Sequence, residues 1–107
     1  MTLSLAEFPA LGNADGFVAT SVGGHGRLII CHLDAGTSAA SYICLSQACT
    51  HAGCSVNYVA DSNSFSCPCH GSTFATSGAV TQGPALSPLH SYATTFDGPS
   101  VIVDLAS

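Results

Sequence analysis

A chain of 107 residues is long enough to bury roughly two thirds of the surface its unfolded form exposes, so one domain with its own core is expected. Charged residues make up only 7% of it, against about a quarter in typical soluble domains, and a single cation, Arg27, faces six acids with no lysine. That balance excludes nucleic-acid binding, which needs clustered Lys and Arg to neutralise phosphates, and leaves solubility to Ser, Thr, Asn, Gly and a net charge of -5.

Residues 1–11 lack the basic start and apolar run of a secretory signal, and no window reaches the ~18 apolar residues of a membrane helix. The chain as it stands reads as soluble, although a secreted protein after processing, or one whose anchor has been removed, reads the same way. Helical periodicity is nearly absent. Short runs rich in Val, Ile, Tyr and Phe recur between Gly and Pro punctuation, which predicts an all-β fold. Strands are expected at 17–22, 27–33, 40–45, 56–59, 64–67, 91–96 and 101–105, with turns at "VGGHG", "DAGTS", "ADSNS" and "FDGPS". Their spacing of about ten residues suits a sandwich or a set of small sheets.

Between residues 45 and 90 the apolar content thins while Cys, His, Gly and Pro concentrate. Such a segment reads as a site-bearing subdomain, 45–90, carried on a base formed by 1–44 and 91–107.

Two boxes hold the chemistry. "CTHAGC" supplies Cys49, His51 and Cys54, and "CPCHGS" supplies Cys67, Cys69, His70 and Ser72. Thiolate and imidazole together suit zinc or iron. Structural zinc would use four of the six, but zinc loops usually place two to four residues between paired ligands, and only one separates Cys49 from His51. A two-iron cluster asks each box for one thiolate and one imidazole, and both boxes can supply them.

These boxes and their separation resemble those of the Rieske iron–sulfur proteins found in cytochrome bc and b6f complexes. The resemblance implies a Rieske-like fold of small antiparallel sheets with an inserted cluster-binding subdomain, and a 2Fe-2S cluster. It implies Cys49 and Cys67 on the inner iron, His51 and His70 on the outer iron, and a disulfide joining Cys54 to Cys69. The charge count agrees. Two ferric irons, two sulfides, two thiolates and two neutral imidazoles sum to zero, whereas four thiolates leave a dianion that accepts an electron less readily. Rieske centres accordingly span roughly -150 to +300 mV against about -400 mV for plant-type ferredoxins.

Further positions gain roles by the same resemblance. Ser72 stands where a hydroxyl donor raises the potential, and Phe74 stands where many high-potential members carry Tyr, so a potential somewhat below theirs is expected. The loop "TQGPALSPL", with Gly83, Pro84 and Ala85, corresponds to one that shields the far side of the cluster. The extra cysteine pair is absent from low-potential Rieske ferredoxins and oxygenases. It favours the high-potential branch and an extracytoplasmic, periplasmic location, because structural disulfides seldom persist in the cytosol.

The implied function is one-electron transfer from quinol or a similar reduced donor to a cytochrome-type acceptor. The outer histidines would couple electron and proton uptake, because an imidazole on ferric iron loses its proton more readily than a free one. The rival readings are the small subunit of an arsenite-oxidase-like enzyme, a ferredoxin feeding an oxygenase, and a structural zinc module.

The remaining candidates read more plainly. Cys31 and Cys44 flank the "LDAGTSA" turn, as buried hydrophobes or as a second cross-strand disulfide. His25 is expected in an exposed turn, His32 on a strand and His90 after the Pro-rich loop, and Arg27 is expected to pair with a surface acid.

Overall fold

The computed structural model describes residues 1–34, 36, 41–48, 54–69 and 71–106. It is all-β, and among the described residues there is no α-helix. The strands are β1 (Thr2–Ser4), β2 (Phe17–Val22), β3 (Gly26–His32), β4 (Tyr42–Ser46), β5 (Asn57–Val59), β6 (Ser64–Ser66), β7 (Thr73–Ala75), β8 (Val80–Gln82), β9 (Ser91–Phe96) and β10 (Ser100–Asp104). All seven expected strands are present, with ends shifted by a residue or two. Residue 40, the expected start of β4, lies outside the described residues. Three strands were not anticipated: β1, β7 and β8, each three residues long and too short to show alternation.

The strands form two antiparallel sheets, one of six strands in the order β1-β10-β9-β4-β3-β2 and one of four in the order β5-β6-β7-β8. The larger sheet curls on itself. Leu3, Leu28, Ile30, Tyr42, Cys44, Val101 and Val103, drawn from β1, β3, β4 and β10, share one buried cluster with Leu11 from the 3-10 turn Pro9–Gly12. Tyr42 closes its end by donating its hydroxyl to the Leu11 carbonyl at 3.1 Å.

β3 is buried on both faces, which explains its continuous apolar run "LIIC". Leu28 and Ile30 point into the curl of the large sheet. Ile29 and Cys31 point the other way, into a second core with Leu45, Val56, Phe65, Cys67, Phe74, Ala85 and Leu89. β3 therefore serves both hydrophobic cores, as does its neighbour β4 through Tyr42 and Cys44 on one side and Leu45 on the other.

This register overturns a disulfide between Cys31 and Cys44. Cys31 pairs with Ile43, and Cys44 pairs with Ile30. Directly opposed residues share a face and neighbours alternate, so the two thiols lie on opposite sides of the sheet, and both are free. Burial pushes each thiol from the usual value near 9.0 up to about 12. Neither should react with iodoacetamide in the folded protein at about pH 8, as mass spectrometry of the native-labelled chain would report. The sign of the linkage is also fixed: as pH rises from 9.0 toward 12, unfolded chains release these protons first, so folding stability falls.

Candidate metal centre

β4 ends at Ser46, and the chain then passes through Gln47 and Ala48 into the first box. The two stems of this loop are zipped together. Ala48 and Ser55 form an antiparallel bridge, the Val56 N–H donates to the Gln47 carbonyl at 2.9 Å, and the Gln47 side-chain amide donates to the Val56 carbonyl at 3.1 Å.

Arg27 on β3 fastens both stems to the large sheet. Its carbonyl accepts the Gln47 N–H at 2.8 Å, and its guanidinium donates to the Ser55 hydroxyl rather than serving only a surface acid. An Arg27→Met chain should fray this stem. Losing one part-buried hydrogen bond costs about 1 kcal/mol, so amide exchange at Val56 should quicken about fivefold, measurable by NMR. Unchanged exchange there would remove Arg27 from the support of the loop. Cys49 and His51, which this stem carries, lie outside the described residues.

The second box follows β6. Cys67 is a free thiol, only 1% exposed, in the core shared with Phe65 and Phe74. Its main chain is fully engaged: its N–H donates to the Ser72 carbonyl at 2.8 Å and its carbonyl accepts the Gly71 N–H at 3.1 Å. Gly71 reverses the chain at a φ of 80°, a conformation that favours glycine. His70 lies outside the described residues.

Cys54 and Cys69 form a disulfide with a Cα–Cα distance of 6.5 Å, joining the end of the first box to the middle of the second. The pairing implied by the resemblance is present. Beside it, a third cysteine stays reduced and buried, an arrangement that suits a ligand and would be wasteful in an ordinary cross-linked loop.

Ser72 is fully buried. Its hydroxyl oxygen accepts the Ala85 N–H at 3.0 Å, which uses an oxygen lone pair and leaves the hydroxyl hydrogen to donate. The same bond draws the 81–89 loop over the second box, where Ala85 and Leu89 enter the core that holds Cys67. Gly83 and Pro84 are exposed and joined by a cis peptide. The far end of the loop is held by the Leu89 N–H, which donates to the Gly78 carbonyl at 2.8 Å. Gly78 has a φ of 92°, and a Cβ there would strike the Leu89 backbone. Phe74 is fully buried, with Phe65 opposite it on β6.

Of the predicted donor set, the structure describes Cys67, and it fits a cluster ligand: a buried reduced thiol beside an oxidised pair, with the Ser72 hydroxyl directly after Gly71 in the same turn. Two thiols and two imidazoles are also the donors that a mixed-ligand two-iron centre takes. Sequence reasoning missed the Gln47 and Arg27 supports, which lie outside the boxes and carry no spacing signal. It also placed His25 in an exposed turn. The turn is there, but the ring is half-buried, with Nδ1 3.2 Å from the Tyr92 hydroxyl.

A Rieske [2Fe-2S] domain profile matches residues 6–93. The cytochrome b6-f complex iron-sulfur subunit of Chlorobaculum thiosulfatiphilum is 40% identical over 62 residues, which is 58% of this chain and 34% of that protein. The chain thus covers about a third or less of the length of the curated relatives it matches. Among solved structures, the plasma membrane Rieske protein PetC3 from Synechocystis PCC 6803 superposes with a TM-score of 0.73 at 30% identity, covering 94% of each chain. The ferredoxin of carbazole 1,9a-dioxygenase from Nocardioides aromaticivorans IC177 superposes with a TM-score of 0.72, covering 95% of this chain and 92% of that one, and at 22% identity it shows a shared fold alone. With the Cys54–Cys69 bridge and the buried Cys67 in place, the chain belongs to the Rieske [2Fe-2S] domain family, whose cofactor is a two-iron, two-sulfide cluster.

Proposed function

We propose that this chain carries single electrons as a high-potential Rieske domain, taking them from quinol or a similar reduced donor and passing them to a cytochrome-type acceptor. The observation that carries this reading is the Cys54–Cys69 disulfide beside the reduced Cys67. Cys49 and Cys67 would hold one iron, and His51 and His70 the other. The cluster supplies a one-electron store whose neutral oxidised form accepts an electron at modest cost.

The chain's own residues shape that store. The segment 45–90 forms the cluster-binding part, and 1–44 with 91–107 forms the base that holds it. Arg27 and Gln47 fix the stem of the first loop, and the disulfide fixes the two loops to each other. Gly83, Pro84 and Ala85 limit water on one side of the site, with Ala85 anchored on Ser72. The Ser72 hydroxyl hydrogen, left free to donate by the Ala85 bond, would be available to a cluster sulfur when the cluster is bound and would favour the reduced form. Phe74 offers no hydroxyl, so the potential sits below that of members with Tyr there.

A Ser72→Ala chain should therefore have a lower potential. A hydrogen bond to a charged group is worth about 1.5–3 kcal/mol, and about 1.4 kcal/mol corresponds to about 59 mV for one electron. The fall should be at most roughly 60–130 mV, read by redox titration, and an unchanged potential would take Ser72 out of the tuning role.

The disulfide also supports an oxidising, periplasmic setting. Among the described residues no helix is long and apolar enough to cross a membrane. Membership of a cytochrome b6-f-like complex is supported by the relatives' names. An arsenite-oxidase-like small subunit would carry the same disulfide, and an oxygenase ferredoxin would lack it. Iron and sulfide analysis with a redox titration tests the reading. Two irons and two sulfides per chain with a positive potential are expected, while a value near -100 mV or lower, at the bottom of the Rieske range, would move the chain to the ferredoxin branch.

A further inference from the structure

The end of the large sheet away from the cysteine loops holds a cavity of about 740 Å³, lined in part by Leu5, Asn13, His32, Tyr42, Phe96 and Asp97. Tyr42 and Ser46 are the two ends of β4, about 14 Å apart by the strand rise, so the cavity is well separated from the metal centre.

Three of its wall residues form a stacked column. The His32 and Tyr42 rings lie 4.2 Å apart with planes 14° from parallel, and Tyr42 and Phe96 lie 4.8 Å apart at 22°. Phe96 is the half-buried end of the column.

His32 is 3% exposed. Its Nε2 lies 2.7 Å from the Gly36 carbonyl, which can only accept, so Nε2 carries the proton and Nδ1 is a bare acceptor. That Nδ1 is buried with no hydrogen-bond partner, an uncommon state for a buried polar atom. The rim adds the Asp97 carboxylate, already accepting the Ser100 N–H at 2.9 Å, and the chain has no lysine. The site is rich in aromatic surface and acceptors and has little to attract an anion.

We propose that this cavity binds a small bicyclic aromatic molecule that bears one N–H or O–H donor and no negative charge. Its rings lie along the His32–Tyr42–Phe96 column, and its donor meets Nδ1 of His32. Two stacking steps span more than the width of one ring, so a bicycle fits the column better than a monocycle. Bulk water does not reach Nδ1, so the ligand's donor would be its hydrogen-bond partner where the protein supplies none.

Indole, 1-methylindole and indole-3-acetate separate the contributions, titrated into the ¹⁵N-labelled full chain with its cluster. Indole should shift the amides of Gly12, Asn13, Asp97 and Gly98 saturably and move the His32 Nδ1 resonance. 1-Methylindole, which lacks only the donor, should bind about tenfold or more weakly and leave that resonance in place, and indole-3-acetate should not bind. A Phe96→Ala chain, altered at the half-buried wall, should weaken indole binding by at least about tenfold. The proposal is overturned by an absence of saturable shifts at these residues, by equal binding of indole and 1-methylindole, by an unmoved His32 resonance, or by a Phe96→Ala chain that binds as wild type.

Discussion

A Cys67→Ser chain is expected to purify without its iron–sulfur absorption and with almost no iron, while the large sheet stays folded. The reason is position as much as chemistry. Cys67 is 1% exposed in the core between the sheets, its main chain is already held by Ser72 and Gly71, and only its sulfur is uncommitted. Serine there offers a hard, weakly acidic oxygen where iron and sulfide favour a thiolate. Cys31→Ser provides the control. It also places a hydroxyl at a buried thiol position, in the same core, at a cost of about 1–3 kcal/mol, yet it should keep its full complement of iron. Visible absorption, iron and sulfide per chain and NMR dispersion distinguish the two. Full iron in the Cys67→Ser chain would refute the proposed ligand set.

The second large effect concerns the disulfide. Cys54→Ser and Cys69→Ser each open a link between residues 15 apart in sequence, which corresponds to about 3 kcal/mol by the loop-entropy estimate. That loss should fall on the loops rather than on the whole chain, because the stem of the first box keeps its Ala48–Ser55 bridge and its Arg27 support. The expected signature is rapid iron loss and a lower potential, with the thermal transition of the large sheet displaced much less. Wild-type iron retention and potential in both variants would leave the disulfide without a role in the site.

How far the sequence carries depends on the kind of signal. β2 and β9 were legible to the residue because six alternating positions between turns leave little choice. The boxes were legible because their residue types and spacing are rare together, and the Cys54–Cys69 pairing followed from a family pattern rather than from spacing. β7 and β8 were hidden because three residues cannot display a period of two. The suspected Cys31–Cys44 bridge failed on register. Symmetry about a turn suggested that the two would face each other, but pairing Cys31 with Ile43 shifts the match by one position, and one position exchanges the faces of a sheet. The column of His32, Tyr42 and Phe96 joins three strands, and nothing local in the chain announces it.

The double burial of β3 has a mechanical consequence. The wall that closes the large sheet is also the floor on which the cysteine loops are built, and both of its faces are close-packed. A tilt of Val56, Cys67 or Ala85 against the sheet would open the core they share with Ile29 and Cys31. Under the electron-transfer role proposed above, a wall shared in this way would favour little rearrangement of the frame when an electron arrives or leaves, and a large displacement toward a partner would carry both cores together.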